Sequence, residues 1–499
     1  GKESIPLTVN CTAKLEISNV DIMMVLDTTG SMLQTNAGDT VNKITALKTE
    51  VMAFYDTIAD AQSGTSQIRY GVMPYSSNVN VGRILLSANS SWMSHNLTIP
   101  SREPNYSWTT SAPAYTNWTQ SVAPTDVSPK VTISGKNSTT CPLTIPNPEY
   151  QDISKISTVS TDGHGGYVEN WNVYRYSYKW VSGECRKQTA TGTATKTVTS
   201  TPVFQDYTYK MINYDVSDVL DNSGLVVPAG DNGADITASW NGCIMERDTV
   251  PFASNAAVPT AAYDLDVDTA PGGEELRWHV ALPNITFPRA SSPGTAQSNS
   301  PTNFITTSDY NSYAEGTNAT GGWAACPTEA MRLTSIPKAN RSVLQNYVNT
   351  LVATGGTYHD VGMVWGTRFI SPTGIFRSDN EAAPNGAPIS RHIIFMTDGL
   401  MDPDPGIYGF QGVEWHHGRV GTTSQTGMAD RHNTRFLAAC NAAKQRNITV
   451  WVVSFGVNLD ANLRSCASGD KAYQAANKTQ LHQQFQAIAQ QITRLRLSE

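Results

Sequence analysis

The feature that most constrains this chain is a pair of short apolar runs that each stop on a carboxylate. Ile22-Met23-Met24-Val25-Leu26 ends in Asp27-Thr28-Thr29-Gly30-Ser31, and Ile393-Ile394-Phe395-Met396 ends in Thr397-Asp398-Gly399. Apolar runs this short and this complete read as strands buried on both faces, as in a parallel sheet covered by helices. Ligands of such sheets bind in the crevice beyond the carboxyl ends of the strands. Both runs therefore aim oxygen-bearing residues at one rim.

Asp27, Thr29 and Ser31 alternate along the turn leaving the first run and offer one carboxylate and two hydroxyls. Magnesium prefers near-octahedral oxygen ligation and keeps several waters, so few carboxylates, neutral hydroxyls and an open position suit it. The same residue types are common in plain turns and helix caps, and the first segment taken alone fits either reading. Two later loops shift the balance towards an ion. One delivers Asp398; the other, Gly355-Gly356-Thr357, follows an amphipathic stretch (Val343, Leu344, Tyr347, Val348, Leu351) and places Thr357 on a tight loop between helices.

The remaining pattern alternates strands with helices and implies an α/β fold with a mainly parallel sheet. Val41, Ile44, Leu47, Val51, Phe54 and Ile58 recur at helical spacing, with Asp39 or Thr40 as the expected cap. Ile68–Tyr75 reads as the next strand and residues 79–86 as its hairpin partner. A helix over 433–446 leads into a strand over Ile448–Phe455, and Leu481, Phe485, Ile488, Ile492 and Leu495 share one face of a closing helix. Between these halves, residues 87–325 are rich in Ser, Thr, Asn, Pro, Tyr and Trp and lack helical periodicity. Alternation at Tyr174, Tyr176, Tyr178 and Trp180, and again over 203–211, reads as β-strands. The expected division is 11–86 and 326–499 for the two parts of the α/β domain, with 87–325 as a β-rich insertion.

Asp27, Thr29, Ser31, Thr357 and Asp398 together resemble the metal-ion-dependent adhesion site of a von Willebrand factor A domain: Asp-x-Ser/Thr-x-Ser after the first strand, a later threonine, then Asp-Gly after the fourth strand. Thr29 stands where serine is commoner and keeps the oxygen. The resemblance implies a doubly wound fold with helices on both faces. It also implies Mg2+, or Ca2+ or Mn2+ in its place, at these five residues, the hydroxyls binding directly, the aspartates often through water, and a partner's carboxylate completing the shell. His359-Asp360-Val361-Gly362-Met363-Val364-Trp365-Gly366-Thr367-Arg368-Phe369-Ile370-Ser371-Pro372, Trp240-Asn241-Gly242-Cys243-Ile244-Met245-Glu246-Arg247 and the ending Leu495-Arg496-Leu497 are similar to TadG-like proteins of bacterial tight-adherence (Flp) pilus systems. That resemblance implies a split A domain, pilus or envelope partners, a cell-surface or extracellular location, and membrane attachment only through an amino-terminal segment outside this sequence; no run of about 18 apolar residues occurs within it.

Composition agrees with export. Only 15% of residues are charged, the formal net charge is −7 and no polybasic run occurs, which argues against binding nucleic acid through its phosphates. The seven cysteines lack C-x-x-C spacing, so disulfides in an oxidising compartment fit better than a zinc cluster. Cys440 and Cys466 flank the strand over Ile448–Phe455 and would staple one α/β unit; Cys141 with Cys185 and Cys243 with Cys326 would close the insertion, leaving Cys11. The alternative is that some are buried free thiols.

Weaker candidates complete the reading. Asp264, Asp266, Asp268 and Glu275 imitate a Ca2+ loop, but Thr269 stands where the loop needs glycine, and a solvated acidic loop is the alternative. Met401-Asp402-Pro403-Asp404-Pro405 either shapes access to the ion or is a stiffened connection. His359, His392, His416, His417 and His432 lack zinc spacing and read as surface or packing residues, with His359 a candidate donor behind the ion ligands. Asn-x-Ser/Thr triplets, as at Asn96, Asn105, Asn117, Asn137, Asn284 and Asn447, read as compositional. Three functions follow: a non-enzymatic binding or adhesion protein; a structural subunit that self-associates, with a structural ion; and, least supported, a metal-assisted hydrolase, for which no positioned base or G-x-S-x-G nucleophile is seen.

Overall fold

A computed structural model describes residues 19–62, 66–142, 149–287, 304–305, 314–315 and 323–498. The principal elements in chain order are β1 (Asn19–Asp27), α1 (Lys43–Asp60), β2 (Ile68–Tyr75), α2 (Gly82–Ala88), β3 (Asn96–Thr110), β4 (Ala114–Asp126), β5 (Glu149–Thr161), β6 (Tyr167–Val181), β7 (Glu184–Val198) and β8 (Ser200–Asp215). There follow β9 (Met331–Ser335), α3 (Arg341–Asn349), α4 (His359–Ile370), β10 (Ile389–Thr397), α5 (Gln425–Gln445), β11 (Ile448–Phe455), α6 (Ala461–Cys466), β12 (Ala472–Ala475) and α7 (Lys478–Ser498).

Six strands form a mixed sheet in the order β9-β2-β1-β10-β11-β12, parallel throughout except for β9 at the edge. Leu26 lies opposite Met396 and Asp27 opposite Tyr75, so β1, β2 and β10 end level with one another. β1 is buried on both faces because successive side chains serve different layers. Val20, Ile22, Met24 and Leu26 pack with Leu47, Val51 and Phe54 of α1, Leu344 and Val348 of α3, and Leu481, Phe485 and Ile488 of α7. On the other face, α4 lies so close that a Cβ on Gly366 would fall 2.4 Å from Val25 Cγ2, and one on Gly362 would fall 2.5 Å from the Tyr75 ring. Glycines one turn apart let that helix meet the sheet backbone. Phe436 of α5 then packs against Phe395 and His359.

The molecule forms two compact units, one holding residues up to Glu103 and from Tyr207 onward, the other Pro104–Asp206. In the second unit β4, β7, β6 and β5 make an antiparallel sheet in that order, with Cys141 bonded to Cys185. In the first unit, residues 216–287 are largely irregular and held by buried charge: Glu246 pairs with Arg368 at 2.7 Å and Asp264 with Arg435 at 3.1 Å. Segments whose carboxylates answer arginines of α4 and α5 belong with those helices. Cys243–Cys326 and Cys440–Cys466 are disulfides of this unit, and Cys11 lies outside the described residues.

Three local expectations are corrected. Residues 79–86 do not form a hairpin strand: Asn80 makes a single antiparallel bridge to Cys243, Gly82 donates its N–H to the Gly242 carbonyl at 2.8 Å, and the chain turns into α2 with Leu85 buried. The cap of α1 is Asn42, whose side chain accepts the Thr45 N–H at 3.1 Å, instead of Asp39 or Thr40. α5 starts at Gln425, capped by Ser424, instead of at 433; the turns before 433 bury only Met428 and His432, which leaves no apolar stripe to read. No helix among the described residues is long and apolar enough to cross a membrane.

Candidate metal centre

Three loops meet at the carboxyl edge of the sheet. The loop after β1 and the loop between α3 and α4 are tied by backbone bonds, Gly30 N–H to the Gly355 carbonyl at 2.9 Å and Thr354 N–H to the Thr28 carbonyl at 2.7 Å. Thr357 bridges in antiparallel fashion to Asp402 of the loop after β10. Gly355 has φ +81°, and a Cβ there would fall 2.4 Å from that of Ala325, so both conformation and space call for glycine.

The hydroxyls converge on one carboxylate. Ser31 Oγ donates to Asp398 Oδ1 at 2.7 Å, Thr29 Oγ1 lies 3.4 Å from the same oxygen, and the two hydroxyls are 2.9 Å apart. Asp27 sits behind them, its Oδ1 accepting the Thr29 N–H at 2.9 Å and its Oδ2 the Thr397 hydroxyl at 2.8 Å. His359 Nε2 lies 3.0 Å from that hydroxyl. Thr357 stands across a gap: a Cβ on Gly399 would lie 3.3 Å from Thr357 Oγ1 and 4.0 Å from Ser31 Oγ. The glycine keeps that gap open.

Charge at the site is unbalanced. Burial, and then the neighbouring Asp398 carboxylate, raise the pKa of Asp27 to about 7 against the opposing hydrogen bonds from Thr29 and Thr397. Burial lowers the pKa of His359 to about 4, so its ring adds no positive charge near neutrality. Two buried carboxylates backed by hydroxyls and no sulfur make a donor set for a hard divalent cation. Asp27, Thr29, Ser31 and Asp398, which hydrogen bonds join into one group, suit such an ion on their chemistry, with Thr357 on the facing loop.

The sequence reading missed Lys43, the first residue of α1, whose ammonium donates to Asp398 Oδ2 at 2.9 Å. The signal available was a cation placed in the first turn of an amphipathic helix, where the helix dipole disfavours it. It also missed the exposed apolar side chains on the three loops: Leu33 at 59%, Val352 at 55% and Leu400 at 57% exposure.

The other candidates have partners of their own. Asp264 accepts from Thr249 at 2.6 Å and Gln411 at 2.7 Å beside Arg435; Asp268 accepts from Ser371, Thr373 and Arg446; Asp266 accepts backbone N–H groups at 2.9 Å. Asp264 and Asp268 face arginines and hydroxyls while Asp266 caps backbone N–H groups, so the three do not converge as a Ca2+ loop requires, and the buried Asp264 does not belong to a solvated loop. Among the described residues no cluster of three or more His, Cys, Asp or Glu is arranged to hold an ion. His417 hydrogen-bonds Val413 and the Thr98 carbonyl, and His432 pairs with Asp360 at 2.7 Å; both are packing residues.

The chain matches no protein-family model and no curated protein. Among solved structures it is similar to proximal thread matrix protein 1 of the mussel byssus, described with zinc occupying its MIDAS motif, at 12% identity and a TM-score of 0.21 over 36% of each chain. It is also similar to the pilus adhesin SpaC of Lactobacillus rhamnosus GG (14%, TM-score 0.24, 41% of this chain and 24% of that one). A third likeness is to the von Willebrand factor domain of the type V pili tip protein Mfa5 of Porphyromonas gingivalis (14%, TM-score 0.22, 34% and 77%). Likenesses this slight assign neither fold nor role.

Proposed function

We propose that this chain is a non-enzymatic, surface-exposed binding protein built on a von Willebrand factor A domain, doubly wound and split by an insertion at 87–325. Its ion site engages an acidic group of a partner. The observation that carries the reading is the gathering of Thr29, Ser31 and Asp398 oxygens within 2.7–3.4 Å of one another, from strands ending on the same edge. Asp27 braces that set through Thr29 and Thr397, and Thr357 faces it across Gly399. A bound Mg2+, Ca2+ or Mn2+ would supply an electrophilic position for a carboxylate oxygen.

Exposed Leu33, Val352 and Leu400 on the same three loops favour a macromolecular partner over a small anion, since an apolar rim contributes only when covered. The resemblance to TadG-like proteins makes pilus or envelope components the partners to test first, with self-association as the second possibility. Three disulfides support an oxidising, extracytoplasmic compartment.

The test is divalent-dependent capture of envelope or pilus proteins from the source cell surface by the purified chain. Binding in Mg2+ is expected to disappear in EDTA and in Asp27→Ala; an Asp27→Ala chain that binds equally in EDTA and in Mg2+ would sink the proposal.

A further inference from the structure

Lys43 stands where two effects oppose a cation. It occupies the first position of α1, at the positive end of the helix dipole, and its side chain is only 7% exposed. Its backbone N–H donates to the Gln34 carbonyl at 2.9 Å, which fixes the start of the helix. The ammonium is directed at one atom, Asp398 Oδ2, at 2.9 Å, while Oδ1 of the same carboxylate receives Ser31 and Thr29.

We infer that Lys43 is a built-in cation of the ion site: it holds Asp398 in place when no metal is bound and weakens the site's affinity for a divalent cation. The inference rests on the ion-site reading given above. Asp27 and Asp398 are the two carboxyl groups of the site, and the Lys43 ammonium on Asp398 Oδ2 offsets one negative charge there before any metal binds. A dication entering it meets one charge fewer than it would without the lysine, and a fixed ammonium on the far oxygen of a ligand carboxylate. Repulsion between an ammonium and a dication on one buried carboxylate is large at the effective dielectric of a partly buried site. The lysine thus trades ion affinity for a site that keeps its shape when empty.

The experiment is titration calorimetry with Mg2+ on the metal-free chain, beside thermal unfolding in EDTA and in saturating Mg2+, for the wild type, Lys43→Met and Lys43→Arg. Lys43→Met is expected to bind Mg2+ about tenfold more tightly or better, to unfold at lower temperature in EDTA, and to gain more from Mg2+ than the wild type. Lys43→Arg keeps the charge and is expected to follow the wild type. Lys43→Gln, which keeps a donor towards Asp398 without the charge, serves the same comparison if Lys43→Met does not fold. Equal Mg2+ affinity with and without the charge overturns the inference about Lys43 and leaves the ion site standing; no Mg2+ binding by any of the chains overturns both.

Discussion

Gly399 lies where one added carbon would fall beside the hydroxyls of the proposed ion site. A methyl group at this position would sit 3.3 Å from Thr357 Oγ1, in the gap between the two hydroxyl-bearing loops. Gly399→Ala is expected to lower Mg2+ affinity about tenfold with little change in unfolding in EDTA, as read by calorimetry and by a urea titration. Far from the site, His392 is buried, accepts the Trp451 indole N–H at 3.3 Å and pairs with Ser390 at 3.0 Å. Burial, helped by Lys471, lowers its pKa from 6.5 to about 3. A depressed histidine leaves the unfolded chain binding the extra proton between those values, so the stabilisation is present above pH 6.5 and is lost as pH falls towards 3. The expected loss is on the order of 4 kcal/mol at the acid end, and His392→Gln should flatten the dependence of the urea midpoint on pH. At this scale Asp27, Thr29, Ser31 and Asp398 were legible, because apolar runs that end on oxygen donors mark strand ends. Lys43 was not, because a lysine early in a helix reads as solvated until its neighbours are known.

The contact between α4 and β1 depends on the absence of side chains. Gly366→Ala places a methyl 2.4 Å from Val25 Cγ2, and overpacking of this kind costs about 1–3 kcal/mol. A chevron or urea titration of that variant should show the loss, with Mg2+ binding weakened as the β1 terminus shifts. The Cys440–Cys466 bridge ties α5 to α6 across a sequence separation of 26. Replacing both cysteines with serine is expected to cost about 3 kcal/mol through the entropy of the unfolded chain, measured as a lower urea midpoint. Strands β1, β2, β10 and β11 were readable because burial on both faces leaves nearly unbroken apolar runs. α2 was misread because Val79 and Val81 alternate like a strand, whereas the Gly242 carbonyl and Trp240 draw that segment into a helical turn.

The first compact unit is fastened by ion pairs that join residues far apart in the chain. Glu246 receives Arg368 at 2.7 Å, the Trp365 indole at 2.6 Å and the Trp278 indole at 3.2 Å, all buried. Glu246→Gln leaves the Arg368 charge without its counterion and is expected to cost about 3–5 kcal/mol, seen as a lower midpoint in thermal or urea unfolding. By itself the sequence determined the strand–helix alternation and the residues at the strand ends, since both follow from local periodicity and from which side chains carry oxygen. Only the tertiary structure decided that Lys43 meets Asp398, that Glu246 and Asp264 answer Arg368 and Arg435, and that the second compact unit is Pro104–Asp206. Those partnerships depend on the strand order and on which distant segments burial brings together, and a buried charge carries no local sign of the partner that compensates it.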